Sequence, residues 1–489
     1  MRSSFASFLF ALGTLTSLPC IAMADLSAAE AAKAAFAPTR TRPDVSTRCV
    51  VSDHVLDVGG RRIAYRATVA EYPVDGADGK PAGVAVTYAY VVKGDKAARR
   101  PVTFVFNGGP GASSWPLHME GLGPKVYDAT RGTLRDNPAS LLDVTDLVFI
   151  DPLGTGASFP VEGGDADGFW TMEGDARFFV GLIAHWLREN GRDDSPQYVI
   201  GESYGTTRAL AMLHEDQPYP RLHLSGVVLL SLFVGGIDND DVEAMAVLPS
   251  YAATAWFHGR QDERAPSAKD AYDQALGFAR TRYMGALLEG DRLTPDELHE
   301  VAVETGRRIG VSASRLEAAH LRLSADAFRD AVLAEPGKHV GRLDTRMAVD
   351  GSLDGLPVPY DDPGMSLGRR SSVVMDDYLR SLGYAPVALY RALNLTINRQ
   401  WRYGSDATHP TSTVAYIAAA MQADPRLRLF TAGGYFDTNT PWEAGQYALS
   451  HAGVDPARWT THAYPAGHTI GDDPTQRAAL AADLRRFIH

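Results

Sequence analysis

The chain has 489 residues, 45% of them hydrophobic and 22% charged, and a net charge of −12. These fractions are those of a folded protein, which excludes global disorder, and the length allows one large domain or two to three ordinary ones. The excess of Asp and Glu is spread along the chain, which argues against nucleic acid and anionic membrane surfaces as partners, since both demand a basic face.

In chain order, residues 1–24 read as a signal peptide. Arg2 gives a positive start, residues 5–18 are apolar, and Ala22-Met23-Ala24 offers small residues for cleavage. The apolar stretch is too short for a membrane span and no later one reaches that length, so a secreted or periplasmic protein without a membrane span is expected. Only Cys20 and Cys49 occur, and cleavage removes Cys20, so a disulfide within one mature chain is ruled out. The histidines show no HExxH-like spacing; neither a metal nor another cofactor is expected.

Residues 25–48 are Ala-rich and then rich in Thr, Arg and Pro, which reads as a mobile leader. Residues 50–58, Gly59-Gly60 and residues 61–69 read as strand, tight turn and strand, and 84–92 and 102–106 continue the series. Beyond Phe106 strands alternate with helices: a buried parallel strand at 147–150, a helix over 173–189, and strands at 198–200 and 226–232. Such alternation implies a mostly parallel sheet covered by helices. Helical segments then take over, including 267–288 and one opened by Thr294-Pro295-Asp296-Glu297, which has the form of a capping box with proline at the first helical position. Strand signals resume at 427–432 and 459–464, with a helix between them at 441–449 and a last helix over 475–487. The predicted organisation is a core in two parts, 49–245 and 406–489, with an inserted helical cap, 246–405, over the strand ends where such folds bind ligands.

Gly201-Glu202-Ser203-Tyr204-Gly205 fits G-x-S-x-G, with a strand before it and a helix-compatible stretch after it. That is the context of a nucleophile elbow, in which glycines leave room for a tight turn that strains the serine backbone. The fold class expected is therefore the α/β-hydrolase fold, a mostly parallel sheet with helices on both faces. A serine hydroxyl needs a base to take its proton and an acid to orient that base, and in this fold the chain order is Ser, acid, His. Asp437 ends a strand-to-loop passage, and His468 follows the last strand in a Gly-flanked loop. His451 and His462 compete as the base, the first on or just after a helix and the second within a strand. Asp424 competes as the acid but precedes its strand, at the wrong end of the sheet. The Gly-rich stretch from Asn107 to Ser114 lacks the Lys of a phosphate-gripping loop. It reads instead as an oxyanion loop, whose backbone N–H would act with that of the residue after the nucleophile.

Asn107-Gly108-Gly109-Pro110-Gly111, Gly201-Glu202-Ser203-Tyr204-Gly205, the 432–437 segment and Gly467-His468 together resemble the serine carboxypeptidase family. The resemblance is dense over 85–235 and 427–472 and thin across the helical insertion. It implies a triad of Ser203, Asp437 and His468, with Gly109 and Tyr204 as oxyanion donors. Asn107 and Glu202 would bind the free α-carboxylate of the substrate. Eukaryotic members carry a Glu immediately before Leu-Gly-Pro, where this chain has Gly121; Glu120 lies one residue earlier and is the candidate for a second carboxylate-binding acid. The usual disulfides are absent, so the chain looks like a bacterial branch. The implied activity is a serine-type carboxypeptidase that releases C-terminal residues, through an acyl-enzyme, from peptides with a free C-terminus. An esterase or acyltransferase on the same scaffold is the alternative.

Overall fold

The structure is a computed structural model that describes residues 27–94, 99–214, 221–233, 235, 239–333, 335, 337–365, 371–404 and 412–489. The expected signal peptide, with Arg2 and Cys20, lies outside the described residues.

Alternating apolar residues after residue 48 produce three long strands, Cys49–Val58 (β1), Arg61–Asp75 (β2) and Pro81–Val92 (β3), paired as an antiparallel meander. The β1–β2 turn is the two-residue Gly59-Gly60, both at positive φ, which suits the twist of a hairpin. Among the described residues six more strands continue the main path of this sheet: Val102–Phe106 (β4), Asp146–Ile150 (β5), Gln197–Glu202 (β6), Leu224–Leu230 (β7), Arg428–Gly434 (β8) and Trp459–Tyr464 (β9). They assemble in the order β1-β2-β3-β5-β4-β6-β7-β8-β9, parallel from β5 onward. A two-residue strand, Phe159–Pro160, pairs with β3 off this path.

The central strands are apolar almost without interruption because both of their faces are covered. Phe104, Phe106, Val199 and Leu229 point into one cluster together with Phe179 and Ile183 of the helix Met172–Glu189. Their neighbours Val105, Tyr198, Ile200 and Leu230 point into a second cluster with Leu480, Leu484 and Phe487 of the helix Pro474–Ile488. This is the α/β-hydrolase fold expected from the strand–helix alternation.

Between β7 and β8 the chain is mainly helical, from Asp240–Phe257 through Pro295–Ile309 to Val414–Ala423, with one two-stranded pair, His339–Val340 and Ala348–Val349. The predicted helix over 267–288 is divided into Ala268–Phe278, a wider turn at Ala279–Tyr283, and Met284–Glu289. The capping box at Thr294 and Glu297 is formed reciprocally. The block does not lie on one side only: Ser371–Ser381 buries Val374, Met375 and Leu379 in the same cluster as the C-terminal helix.

Within 25–48, the segment expected to be a mobile leader, Ala28–Ala35 forms a helix opened by a Ser27–Glu30 capping box. Its small residues let it seat closely: Ala31, Ala32 and Ala35 join Tyr360, Met365, Leu393 and Leu395 in a separate apolar cluster. Among the described residues no helix is long and apolar enough to cross a membrane.

Candidate active site

β6 ends at Glu202 and the helix Tyr204–Ala211 begins two residues later, so Ser203 occupies the turn at φ 60°, ψ −130°. Positive φ in a residue with a Cβ is strained and persists only where its surroundings fix it. Close approach does that here. A Cβ on Gly201 would lie 2.2 Å from the Gly205 carbonyl oxygen, and one on Gly108 would lie 2.4 Å from the Tyr204 backbone nitrogen. The loop after β4 therefore rests directly on the elbow, bringing the backbone of Gly109 and Tyr204 to the side of Ser203.

Under the elbow, Arg208 is fully buried. Its Nε donates to Asp175 Oδ2 at 2.7 Å, another guanidinium N–H donates to the Asn107 carbonyl, and the Phe179 ring stacks 4.4 Å away. One side chain thus links the helix after Ser203 to the loop after β4. Asn107 is oriented by the Leu117 N–H, which donates to its Oδ1 at 3.1 Å, and its Nδ2 donates to Glu202 Oε1 at 2.8 Å.

Asp437 is completely buried in the loop after β8. Its Oδ1 accepts from the backbone N–H groups of Asn439 (2.8 Å) and Thr440 (3.0 Å), and its Oδ2 from Thr440 Oγ1 (2.5 Å). The same Oδ2 lies 2.8 Å from His468 Nδ1. Donation from Nδ1 to the carboxylate leaves Nε2 as the basic nitrogen of a neutral ring. His468 and Ser203 line one cavity of about 330 Å³, together with Asn107, Gly109, Glu120 and Glu202.

The competing residues lie elsewhere. His462 is 3.7 Å from Asp483 and stacked on Phe430, and His451 is bonded to the Tyr447 carbonyl on an exposed helix end. Asp424 pairs with Arg426.

The cavity gathers acids. Burial pushes the Glu202 carboxyl up to about 7; His468 works against this, and Asp472 adds to it. Asp472, also in the lining, rises to about 7 by burial and the nearby Asp344. Glu120 stands well above the usual carboxylate range, through burial and then through Asp472. It reaches the cavity from a wide helical turn over Pro116–Leu122, which alters the register ahead of Gly121. For His468 burial alone would lower the pKa, but the charge and hydrogen bond of Asp437, then Glu202 and Asp472, lift it to about 9.

Sequence reasoning missed Thr440, Asp472 and Arg208. For Thr440 a signal existed: an Asp whose carboxylate takes the N–H groups two and three residues on forms an Asx turn, with Thr440 at its end. For Asp472 and Arg208 no local pattern stands out.

Residues 78–228 match the serine carboxypeptidase family model. A solved structure of Kex1(delta)p, a prohormone-processing carboxypeptidase from Saccharomyces cerevisiae, superposes with a TM-score of 0.56, covering 86% of this chain and 91% of that one at 14% identity. The protein has the α/β-hydrolase fold. Serine carboxypeptidase-like 36 from Arabidopsis thaliana is 33% identical to this chain over 129 residues, 26% of each chain, so the match spans about a quarter of that relative's length.

Proposed function

We propose that this protein is a serine-type carboxypeptidase acting on peptides with a free C-terminus. The observation that carries the reading is Glu202, a buried carboxyl held up to about 7 beside the nucleophile and bonded to the Asn107 amide. A group that retains a proton near neutrality can donate to a carboxylate, which an ionised Glu would repel. Asn107 Nδ2 supplies a second donor, and Glu120, whose burial favours the protonated form, a third.

In this mechanism Ser203 Oγ attacks the carbonyl of the last peptide bond while His468 Nε2 takes its proton. The N–H groups of Gly109 and Tyr204 receive the oxyanion. Collapse passes the proton from His468 to the leaving amine, the C-terminal residue departs, and water activated by His468 releases the acyl group from Ser203. Asp437 holds the ring and balances its charge. The signal-peptide pattern of residues 1–24 favours a secreted or periplasmic enzyme, and the departures from the eukaryotic pattern favour a bacterial branch.

Matched peptides with a free acid or an amide at the C-terminus provide the test. Free acids are expected to be cleaved with a kcat/KM at least about ten-fold higher, since the amide leaves buried polar groups unpaired. Equal rates on both, or hydrolysis of esters alone, would favour the esterase or acyltransferase reading. Ser203→Ala is expected to remove phosphonate labelling and turnover together.

A further inference from the structure

The wall of the cavity facing Ser203 is not made by the hydrolase core alone. Phe36, directly after the helix Ala28–Ala35, lines the same cavity as Ser203 and His468. The segment that carries it is fastened at several points. The Arg391 guanidinium donates to the carbonyls of Ala35 (3.0 Å), Ala37 (2.5 Å) and Pro38 (2.9 Å), at the helix end whose carbonyls lack intrahelical partners. Thr396 Oγ1 donates to the Ala37 carbonyl at 3.0 Å, and Asn394 Nδ2 to Thr39 Oγ1 at 3.0 Å. The Arg399 guanidinium lies over the Phe36 ring at 4.0 Å. Around Phe36 the cavity lining combines the Arg399 guanidinium with the apolar residues Met365, Leu393 and Leu395, drawn from the cluster into which the N-terminal helix packs.

We propose that residues 28–39 are a permanent wall of the substrate cavity, and that Phe36 is a specificity-determining residue selecting a large apolar side chain on the acyl side of the scissile bond. The proposal rests on the carboxypeptidase reading of the site. The carboxylate-receiving groups, Asn107, Glu202 and Glu120, are taken by the departing residue, which leaves the apolar lining about Phe36 and Leu393 to the residue whose carbonyl is attacked. Apolar wall residues reward a substrate side chain that covers them and give little to a small one.

The test compares wild type, Phe36→Ala and Phe36→Leu on two substrate series, N-acyl dipeptides with a free C-terminus and N-acyl amino acid ethyl esters. Each series carries Phe or Ala on the acyl side. Phe36→Ala is expected to raise KM for the Phe substrates on the order of ten-fold, with kcat and the Ala substrates changed less than about two-fold. Phe36→Leu is expected to recover most of the loss. Equal losses on Phe and Ala substrates would overturn the proposal by showing that Phe36 only braces the fold, and unchanged discrimination would show that the acyl side chain sits elsewhere. The two series separate the readings: turnover of esters without peptides removes the carboxypeptidase reading while the Phe-to-Ala ratio on esters still judges Phe36.

Discussion

Glu202 and His468 sit in one buried site, where Glu202 raises the proton affinity of His468 and His468 lowers that of Glu202, so they titrate as a pair. The competent form has a neutral imidazole and a protonated Glu202. Because His468 holds its proton up to about 9 and Glu202 only to about 7, that form is the minor arrangement of the singly protonated pair. Activity on free-acid peptides is expected to fall at low pH, as the pair takes up a second proton, and at high pH, as it loses the last one. In Glu202→Gln the donor stays and the titration goes. The alkaline rise in KM should flatten, and the remaining acid limb should report His468 alone, at a pKa below about 9 because one anion holding its proton is gone. A wild-type pH profile in that variant would remove Glu202 from carboxylate recognition. Thr440 acts through Asp437: its hydroxyl donates to the oxygen that faces His468. Thr440→Val is expected to lower kcat roughly ten-fold and to raise the apparent pKa of the acid limb, since a carboxylate with one donor fewer holds the imidazolium more tightly. Thr440→Ser should restore both; a variant with normal kcat and pH profile would make the contact incidental.

The elbow works as an element because two backbones touch. Gly108→Ala would place a methyl group 2.4 Å from the Tyr204 nitrogen, and neither β4 nor β6, both buried along their whole length, has room to retreat. The oxyanion loop must then lift, and kcat is expected to fall about 10²-fold or more. Circular dichroism should show the fold retained. Gly181, an exposed position of the helix Met172–Glu189 where a Cβ meets nothing within 4 Å, is the matched control. Gly181→Ala is expected to stabilise the protein by about 0.5–1 kcal/mol with activity unchanged. Equal activity in both variants would mean that the contact at Gly108 does not set the oxyanion geometry.

For the whole molecule, the buried acids of the cavity decide how stability depends on pH. Glu202 and Asp472 have folded pKa values raised to about 7, and Asp175 to about 6, so the folded state holds protons that the unfolded chain has already released. Their contribution is fully present below the ordinary carboxylate pKa and is lost as pH rises to about 7. His468, raised to about 9, contributes below its ordinary 6.5 and loses that contribution as pH climbs toward 9. Buried His118, pushed down to about 3, opposes these groups below 6.5. The balance predicts a stability maximum slightly on the acid side of neutrality and a lower Tm at pH 9 than at pH 6, measurable by calorimetry. Glu202→Gln should shrink that difference; a Tm that rises toward pH 9 would contradict the assigned directions.

The sequence by itself determined the sheet and the elbow, because both depend on short-range pattern. Apolar runs such as Val102–Phe106 have no solvent-facing residue to spare, so they become strands covered on both faces, and a Gly-flanked serine between a strand and a helix has few other conformations open to it. The Asp437 and His468 pairing was readable from chain order, but preference for His468 over His462 became a distance, 2.8 Å, only when β8 and β9 paired and their loops met. The helix Ala28–Ala35 was beyond local reading. Eight residues, mostly alanine, are marginal as an isolated helix; this one exists because Arg391, more than 350 positions away, receives its last carbonyls and a separate apolar cluster receives its face. The same holds for Arg208, which looks like an ordinary surface cation on the sequence and is the fully buried link between elbow and oxyanion loop. Periodicity reports which residues are buried, whereas the partner of a buried charge or of a short helix is chosen by segments that only the folded chain brings together.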